Sequence, residues 1–299
     1  MIDSKHDNWL IPLSFVIVYV VWGTTYLANA WGVAIIPPFM FAGIRFLVAG
    51  SILLLISSFF VSIKVTLPQF KNIFFAGLLL FGVGNGAVTW ALQYVDSGIT
   101  ALVIAFEPLL VAMLLWAWKK EKPQISTWIG ISLGILGMML LVGQPEFISS
   151  WIWVVGVACI FVAMSAWAYI SIWIASADLP KSVFVSAGFQ MLVGGVILLC
   201  SSLGMQEIQN FEWSSITPKA FWSWIYLMVF GSILAFSAFN FLLLKVSPTK
   251  VAASAYVHPV IALFLGWLLN GEFLSEQSLL AAAVLLTGVI FINKDKGKK

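Results

Sequence analysis

Residues 101–118 read ALVIAFEPLLVAMLLWAW, and residues 252–269 read AASAYVHPVIALFLGWLL. The two stretches align at an offset of 151, and the alignment holds without a gap from Ala101 to Leu141. It sets Pro108 on Pro259, Trp116 on Trp267, Glu121 on Glu272 and Gly137 on Gly288. Upstream the offset is 145. There Val21-Trp22-Gly23 falls on Ala166-Trp167-Ala168, Ala42-Gly43-Ile44-Arg45 on Ala187-Gly188-Phe189-Gln190, and Gly50 on Gly195. The chain therefore reads as a duplication.

Both copies are too apolar for water. Of 299 residues, 62% are hydrophobic and 9% charged, with a mean hydropathy of +1.04. A soluble domain carries about 25% charged residues, so a soluble enzyme and a disordered chain are both excluded. At about 20 apolar residues per membrane span, the sequence predicts ten transmembrane helices. They fall at 11–31, 38–60, 70–93, 98–118, 126–143, 151–175, 182–203, 219–244, 250–270 and 275–293. Their short connections are marked by Pro37-Pro38, Leu67-Pro68, Asp96-Ser97-Gly98, Lys122-Pro123, Pro145 and Leu179-Pro180.

The predicted fold is an all-α integral membrane protein: ten transmembrane helices as two inverted five-helix repeats. The predicted organisation is a tail at 1–10, a first repeat at 11–143, a second at 151–293 and a basic tail at 294–299. Five spans per copy is an odd number, so the second copy crosses the membrane in the opposite sense. Secondary transporters are built this way, with the substrate site at the repeat interface. A duplicated membrane scaffold or membrane enzyme is the competing reading.

Cation placement orients the chain. With a cytoplasmic N-terminus, inner connections carry Lys5, Lys64, Lys71, Lys119, Lys120, Lys122, Lys181, Lys245, Lys250, Lys294, Lys296, Lys298 and Lys299. The outer side holds Lys219 alone, and the remaining cation, Arg45, lies inside a span. This bias puts both termini in the cytoplasm. The first apolar run is read as a span, not a cleaved signal. Cys159 and Cys200 lie in apolar runs and form no metal-ligand spacing, so neither a disulfide framework nor a metal is expected. The scattered lysines form no nucleic-acid surface. No cofactor signature appears: the run Gly82-Val83-Gly84-Asn85-Gly86 lacks the Gly-Lys-Ser/Thr of a phosphate loop and lies at membrane depth.

Several stretches together resemble the drug/metabolite transporter superfamily, in particular the EamA family of bacterial ten-helix permeases. They are Trp22-Gly23-Thr24-Thr25-Tyr26, Pro37-Pro38-Phe39 with Ala42-Gly43-Ile44-Arg45-Phe46, and Ser97-Gly98 leading to Ala105-Phe106-Glu107-Pro108-Leu109. Glu121 and a glycine-spaced fifth helix complete the first copy. The second copy repeats the pattern at Ala255-Tyr256-Val257-His258-Pro259-Val260 and Asn270-Gly271-Glu272. The resemblance spans about Leu10 to Asn293. It implies export or exchange of small metabolites across the cytoplasmic membrane, without ATP, through a central cavity lined by both repeats. Amino acids and hydrophobic or cationic drugs are the cargo classes it implies. Family members often carry Glu-Pro in the second copy too, where this chain has His258-Pro259.

A charged side chain inside a span costs about 2.5–3.5 kcal/mol on insertion scales, so Arg45 and Glu107 need partners or water. Both lie roughly 10–14 Å from the outer surface at 1.5 Å per residue. An Arg45–Glu107 ion pair is expected, either as a gate and anchor for a zwitterion or as a packing device. Their repeat mates are Gln190 and His258. Imidazole titrates near neutral pH, which suits a proton-coupling role for His258. A neutral imidazole bonded to Gln190 or to a backbone carbonyl is the plainer alternative.

The aromatics divide by depth. Trp9, Trp31, Trp118, Trp128, Trp151, Trp153, Trp213, Trp222 and Trp267 lie near span ends, as an interfacial belt does. Trp22, Tyr26, Trp90, Tyr94, Trp167, Tyr169 and Tyr256 lie deeper, where rings bind apolar bodies or cations or simply pack helices. Asn85 and Asn240 are candidates for substrate hydrogen bonds or helix bridging. Pro108 and Pro259 are candidate hinges, since proline removes a helix hydrogen bond. Gly130, Gly134 and Gly137 form a close-packing face that serves a homodimer or an internal contact equally well.

The expected partners are the lipid bilayer and a small-molecule substrate. A secondary transporter working by alternating access fits best. Paired catalytic aspartates and metal-ligand clusters, which a membrane enzyme would need, are missing. Sugar phosphates and nucleotide-sugars are the alternative cargo, but one intramembrane cation suits them poorly.

Overall fold

The computed structural model describes residues 4–95, 97–120, 122–141, 150–270 and 276–294. Asp96, Glu121, Pro145, Glu272 and the basic tail from residue 295 lie outside these, as does the side chain of Trp267. Among the described residues all regular secondary structure is helical.

In the first half, α1 (Ser4–Val33) begins inside the expected tail and leads to α2 (Pro38–Ser58). A third rod follows, made of α3 (Leu67–Gly77), a π-helical segment (Leu78–Asn85) and α4 (Gly86–Ala91). The fourth expected span is broken: α5 (Ser97–Ile104) stops, Ala105 and Phe106 turn, and α6 (Glu107–Leu114) restarts before a π-helical end (Leu115–Lys119). Helix α7 (Ile125–Leu141) closes this half.

The second half follows the same order, with α8 (Trp151–Ile174), α9 (Val183–Gly204) and a short α10 (Glu207–Asn210). Its long rod is α11 (Pro218–Tyr226), a π-helical segment (Leu227–Ala235) and α12 (Phe236–Lys245). The ninth expected span is broken as well, into α13 (Pro248–Ala252), a 3-10 turn (Ala253–Tyr256) and α14 (His258–Asn270), and α15 (Glu276–Asn293) ends the fold. Among the described residues six rods are long and apolar enough to cross a membrane: Trp9–Val33, Pro38–Ser58, Leu67–Ala91, Trp151–Ile174, Val183–Gly204 and Pro218–Lys245. Two shorter helices, Ile125–Gly137 and Leu279–Ile292, are also apolar.

Local sequence explains these boundaries. Thr66 and Gln69 form a reciprocal capping box at the start of α3, and Thr217 and Ser182 cap α11 and α9. Proline occupies the first turn of α2, α3, α6, α11 and α13, where its missing N–H is no loss. Pro108 and Pro259 therefore act differently from expectation. Each stands second in a new helix, behind Glu107 or His258, and so starts a helix instead of kinking the middle of one. The glycine-rich run of the third span widens into the π-helical segment, where the Asn85 amide donates to the Leu80 carbonyl at 3.2 Å.

The two halves meet through reciprocal contacts. Helices α2 and α9 form one of the two most extensive helix pairs, and glycines carry its closest approaches. A methyl on Gly50 would meet the Gly188 carbonyl at 2.7 Å, and one on Gly195 would meet the Gly43 carbonyl at 3.0 Å. Gly188 and Gly195 are the repeat mates of Gly43 and Gly50, so each contact has its exchanged twin. The other extensive pair, α7 with α15, behaves likewise, with Gly130 and Gly134 against Gly288. The glycine stripe of α7 is thus occupied within the chain, which answers the homodimer alternative for that face. The main buried cluster, including Phe46, Phe81, Phe236, Phe239 and Met191, draws on both halves.

Candidate functional site

A cavity of about 120 Å³ opens between the halves. The two π-helical segments, the starts of α6 and α14, and the middle of α1 and α8 form its walls. Of the residues singled out in the sequence, Trp22, Tyr26, Arg45, Asn85, Glu107, Trp167 and His258 line it.

Rings from both halves build one continuous wall. Phe46 meets Phe81 at 4.5 Å between centroids, Phe81 meets Phe236 edge-on at 4.7 Å, and Trp167 meets Phe239 at 5.2 Å. Trp22 completes it, 5.4 Å from Trp167 in a T-shaped contact and 5.0 Å from Phe239. Offset and edge-to-face pairs like these are each worth about 0.5–1.5 kcal/mol beyond area burial. Gly84 is required here, because any side chain on it would collide with the Trp167 indole. The Trp22 indole N–H donates to the Gly231 carbonyl at 3.2 Å, a carbonyl of the second π-helical segment. Thr24 and Tyr226 share a second hydroxyl–hydroxyl bond across the halves.

Arg45 is 3% exposed. It donates to the Asn29 side-chain oxygen at 3.1 Å and to that of Asn85 at 3.5 Å. Its guanidinium lies 4.3 Å from the Phe46 ring centroid, within cation–π range. Nε has no partner. The expected Arg45–Glu107 ion pair does not form: no Arg45 nitrogen lies within 4.0 Å of a Glu107 oxygen, although both side chains line the same cavity. The neutral Asn29 and Asn85 have taken the place of a counter-ion. Glu107 heads α6, where the helix dipole favours an anion, and acts electrostatically on nearby Tyr26.

His258 is not bonded to Gln190. Its ring stands 5.9 Å from Tyr26 and 6.5 Å from Trp22 between centroids. Neither ring nitrogen reaches hydrogen-bond geometry, though the backbone of Val18 is close enough to act on it. Gln190 is fully buried away from the cavity and donates to Ser186 at 2.9 Å.

Four further expectations are displaced. Asn240 donates to the Phe236 carbonyl one turn back, at 3.1 Å. Tyr256 is fully buried with its ring against Gly134, inside the cluster that joins α7 and α15. Trp90 packs on Ala91, Val95 and Ile160, and Tyr94 lies tilted against Trp90 while remaining 41% exposed. Sequence reading missed Thr25, Asn29, Phe46, Phe81, Ser232, Phe236, Phe239 and Ser254. For Asn29 the signal was available: positions 22, 25, 26 and 29 share one helix face. The phenylalanines gave none, since rings in apolar runs look alike whichever neighbour they meet.

The EamA-like transporter family model matches residues 9–143 and again 154–294. The chain belongs to the EamA-like transporter family. It is 35% identical over 295 residues to the uncharacterized inner membrane transporter YedA of Escherichia coli (strain K12), covering 96% of this chain and 92% of that one. The uncharacterized transporter YoaV of Bacillus subtilis (strain 168) is 25% identical across 95% and 96% of the two chains. A WAT1-related chloroplastic protein of Arabidopsis thaliana is 26% identical across 97% of this chain and 70% of its own length. One solved crystal structure, 20% identical, shares the fold with a TM-score of 0.74 over 94% of this chain and 95% of that one. The EamA-like chain is thus an apolar helical protein whose Escherichia coli and Bacillus subtilis relatives are named as transporters, the former of the inner membrane.

Proposed function

We propose that the chain is a secondary transporter that moves small metabolites across the bacterial cytoplasmic membrane by alternating access. Its cargo is amino acids, aromatic ones especially, or amphiphilic drug-like compounds, exported or exchanged. One observation carries this reading: a single cavity between the halves holds a cation and a carboxylate that are not paired with each other, inside walls of aromatic rings from both halves. Unpaired buried charges of both signs suit a zwitterion, and the rings suit its apolar body.

Three features support the ten-span inverted arrangement. The breaks before Glu107 and His258 occur at equivalent positions. The exchanged glycine contacts are the kind a two-fold relation produces. Five spans per copy then invert the second repeat, and the lysine bias places both termini inside. Sugar phosphates remain the weaker alternative, because among the described residues Arg45 is the one arginine or lysine that lines the cavity. No step of the proposed cycle makes or breaks a covalent bond.

The test loads proteoliposomes with a broad metabolite mixture, imposes a pH gradient of either sign, and measures depletion by mass spectrometry against protein-free liposomes. Selective loss of amino acids or amphiphiles is the expected result. Selective loss of sugar phosphates, or of nothing under any gradient, overturns the reading.

A further inference from the structure

The cavity's polar groups are open in a pattern that packing alone does not require. A guanidinium held out of water is normally balanced by an anion, and an unbalanced one costs several kcal/mol. Arg45 has only two neutral amide oxygens, and its Nε–H has nothing. Asn85 is engaged at both ends, its oxygen by Arg45 and its nitrogen by the Leu80 carbonyl. Asn29 differs: its oxygen accepts from Arg45, while its amide N–H2, on the same planar group, has no partner among the described residues. Arg45 and Asn29, joined by that bond and both lining the cavity, therefore bring together a guanidinium without an anionic partner and an open amide donor, which is the chemistry of a carboxylate subsite.

Glu107 is the complementary half. It lines the same cavity, lies more than 4.0 Å from the Arg45 nitrogens, and accepts no hydrogen bond among the described residues. Tyr26 and Trp22 line the same cavity, and His258, the repeat mate of Glu107, packs against both rings. A carboxylate that shares its cavity with aromatic faces is suited to an ammonium group.

Building on the transport reading above, we propose that Arg45 and Asn29 bind the substrate carboxylate while Glu107 binds its ammonium group. Glu107 then selects α-amino acids against the deaminated acids of the same side chain, and Arg45 selects them against the decarboxylated amines. The aromatic wall holds the side chain without reading charge.

Three labelled probes that share one ring separate these roles: phenylalanine, 3-phenylpropionate and phenethylamine. Binding to the full-length protein in detergent and counterflow in liposomes are measured for wild type, Glu107→Gln and Arg45→Gln. Monodispersity and thermal midpoint serve as folding controls. Wild type is expected to favour phenylalanine over either analogue by at least about tenfold, since a site built to bond a polar group rejects the analogue lacking it. Glu107→Gln is expected to invert the preference toward 3-phenylpropionate, and Arg45→Gln toward phenethylamine. A Glu107→Gln protein that keeps its preference for phenylalanine, or loses all three probes in parallel, overturns the assignment while leaving the transport reading intact. Wild type that ignores all three probes but moves other solutes overturns the substrate class and the assignment together.

Discussion

The two repeats treat the same backbone event with different chemistry. In each, a span breaks and a new helix starts one residue before a proline, at Glu107-Pro108 in the first copy and His258-Pro259 in the second. At the other matched pair the first copy has Arg45 and the second Gln190. The first copy thus supplies both charges of the cavity, and the second supplies an imidazole and an amide. Only the imidazole reaches the cavity, while the amide turns away to Ser186. The aromatic wall, by contrast, draws on both copies: Trp22, Tyr26, Phe46 and Phe81 from one, Trp167, Phe236 and Phe239 from the other. Duplication preserved the glycines and prolines that set helix breaks and close approaches, and it let the polar side chains diverge. A second buried arginine would need its own set of polar partners, as Arg45 has in Asn29 and Asn85, whereas a second set of rings only enlarges an apolar wall.

The comparison is open to attack at three of its polar positions and at both prolines. Arg45→Gln gives the first copy the second copy's residue and has the largest expected effect. Loss of hydrogen bonds from a charged group, worth roughly 3 kcal/mol, predicts about a 100-fold fall in amino-acid counterflow. A variant that retains a substantial fraction of the rate would show that the charge asymmetry does not matter. His258→Gln should lower the rate about three- to tenfold, by removing ring contacts with Trp22 and Tyr26. Its pH profile should stay in place, because among the described residues no carboxylate lies within 4.0 Å of either ring nitrogen to hold a proton there. A profile flattened by that substitution would instead assign His258 the coupled proton.

Pro108→Ala and Pro259→Ala probe the matched breaks. Alanine restores the N–H and lets a helix run on through the turn, so turnover should slow by roughly threefold with stability changed by no more than about 1 kcal/mol. Single-turnover rates in liposomes check this, and rates equal to wild type in both variants would mean that the breaks do not move during transport. Gln190→Leu should be the quietest. It removes one hydrogen bond and one buried oxygen that already lacks a partner, so transport should remain within about twofold of wild type. A large loss there would place Gln190 in the transport path after all.

Much of the fold was legible in residue order. Apolar runs between charges located the helical rods, the 145 and 151 offsets matched them in pairs, and the glycine spacing marked the faces that touch. Thr66, Ser182 and the helix-starting prolines act through their own backbone neighbours, so they read directly from sequence. The candidate site was half legible. Trp22, Tyr26, Arg45, Asn85, Glu107, Trp167 and His258 stood out because polar or amphipathic residues are rare in apolar runs, and all of them reach the cavity. Asn240, Gln190 and Tyr256 stood out for the same reason and do not reach it. A side chain one turn from a carbonyl satisfies itself locally, and the difference depends on which way a helix is rotated.

Sequence by itself therefore determined the apolar helical character, the duplication, the family and the small set of intramembrane polar groups. Each rests on composition or on local spacing, which three-dimensional packing cannot alter. Tertiary structure decided the pairing: that Arg45 faces Asn29 and Asn85 instead of Glu107, that the α7 glycines meet α15, and that phenylalanines from distant rods close one aromatic wall. Contacts between helices depend on rotation and tilt, and those are set by the sum of many weak packing terms that no short stretch of sequence contains.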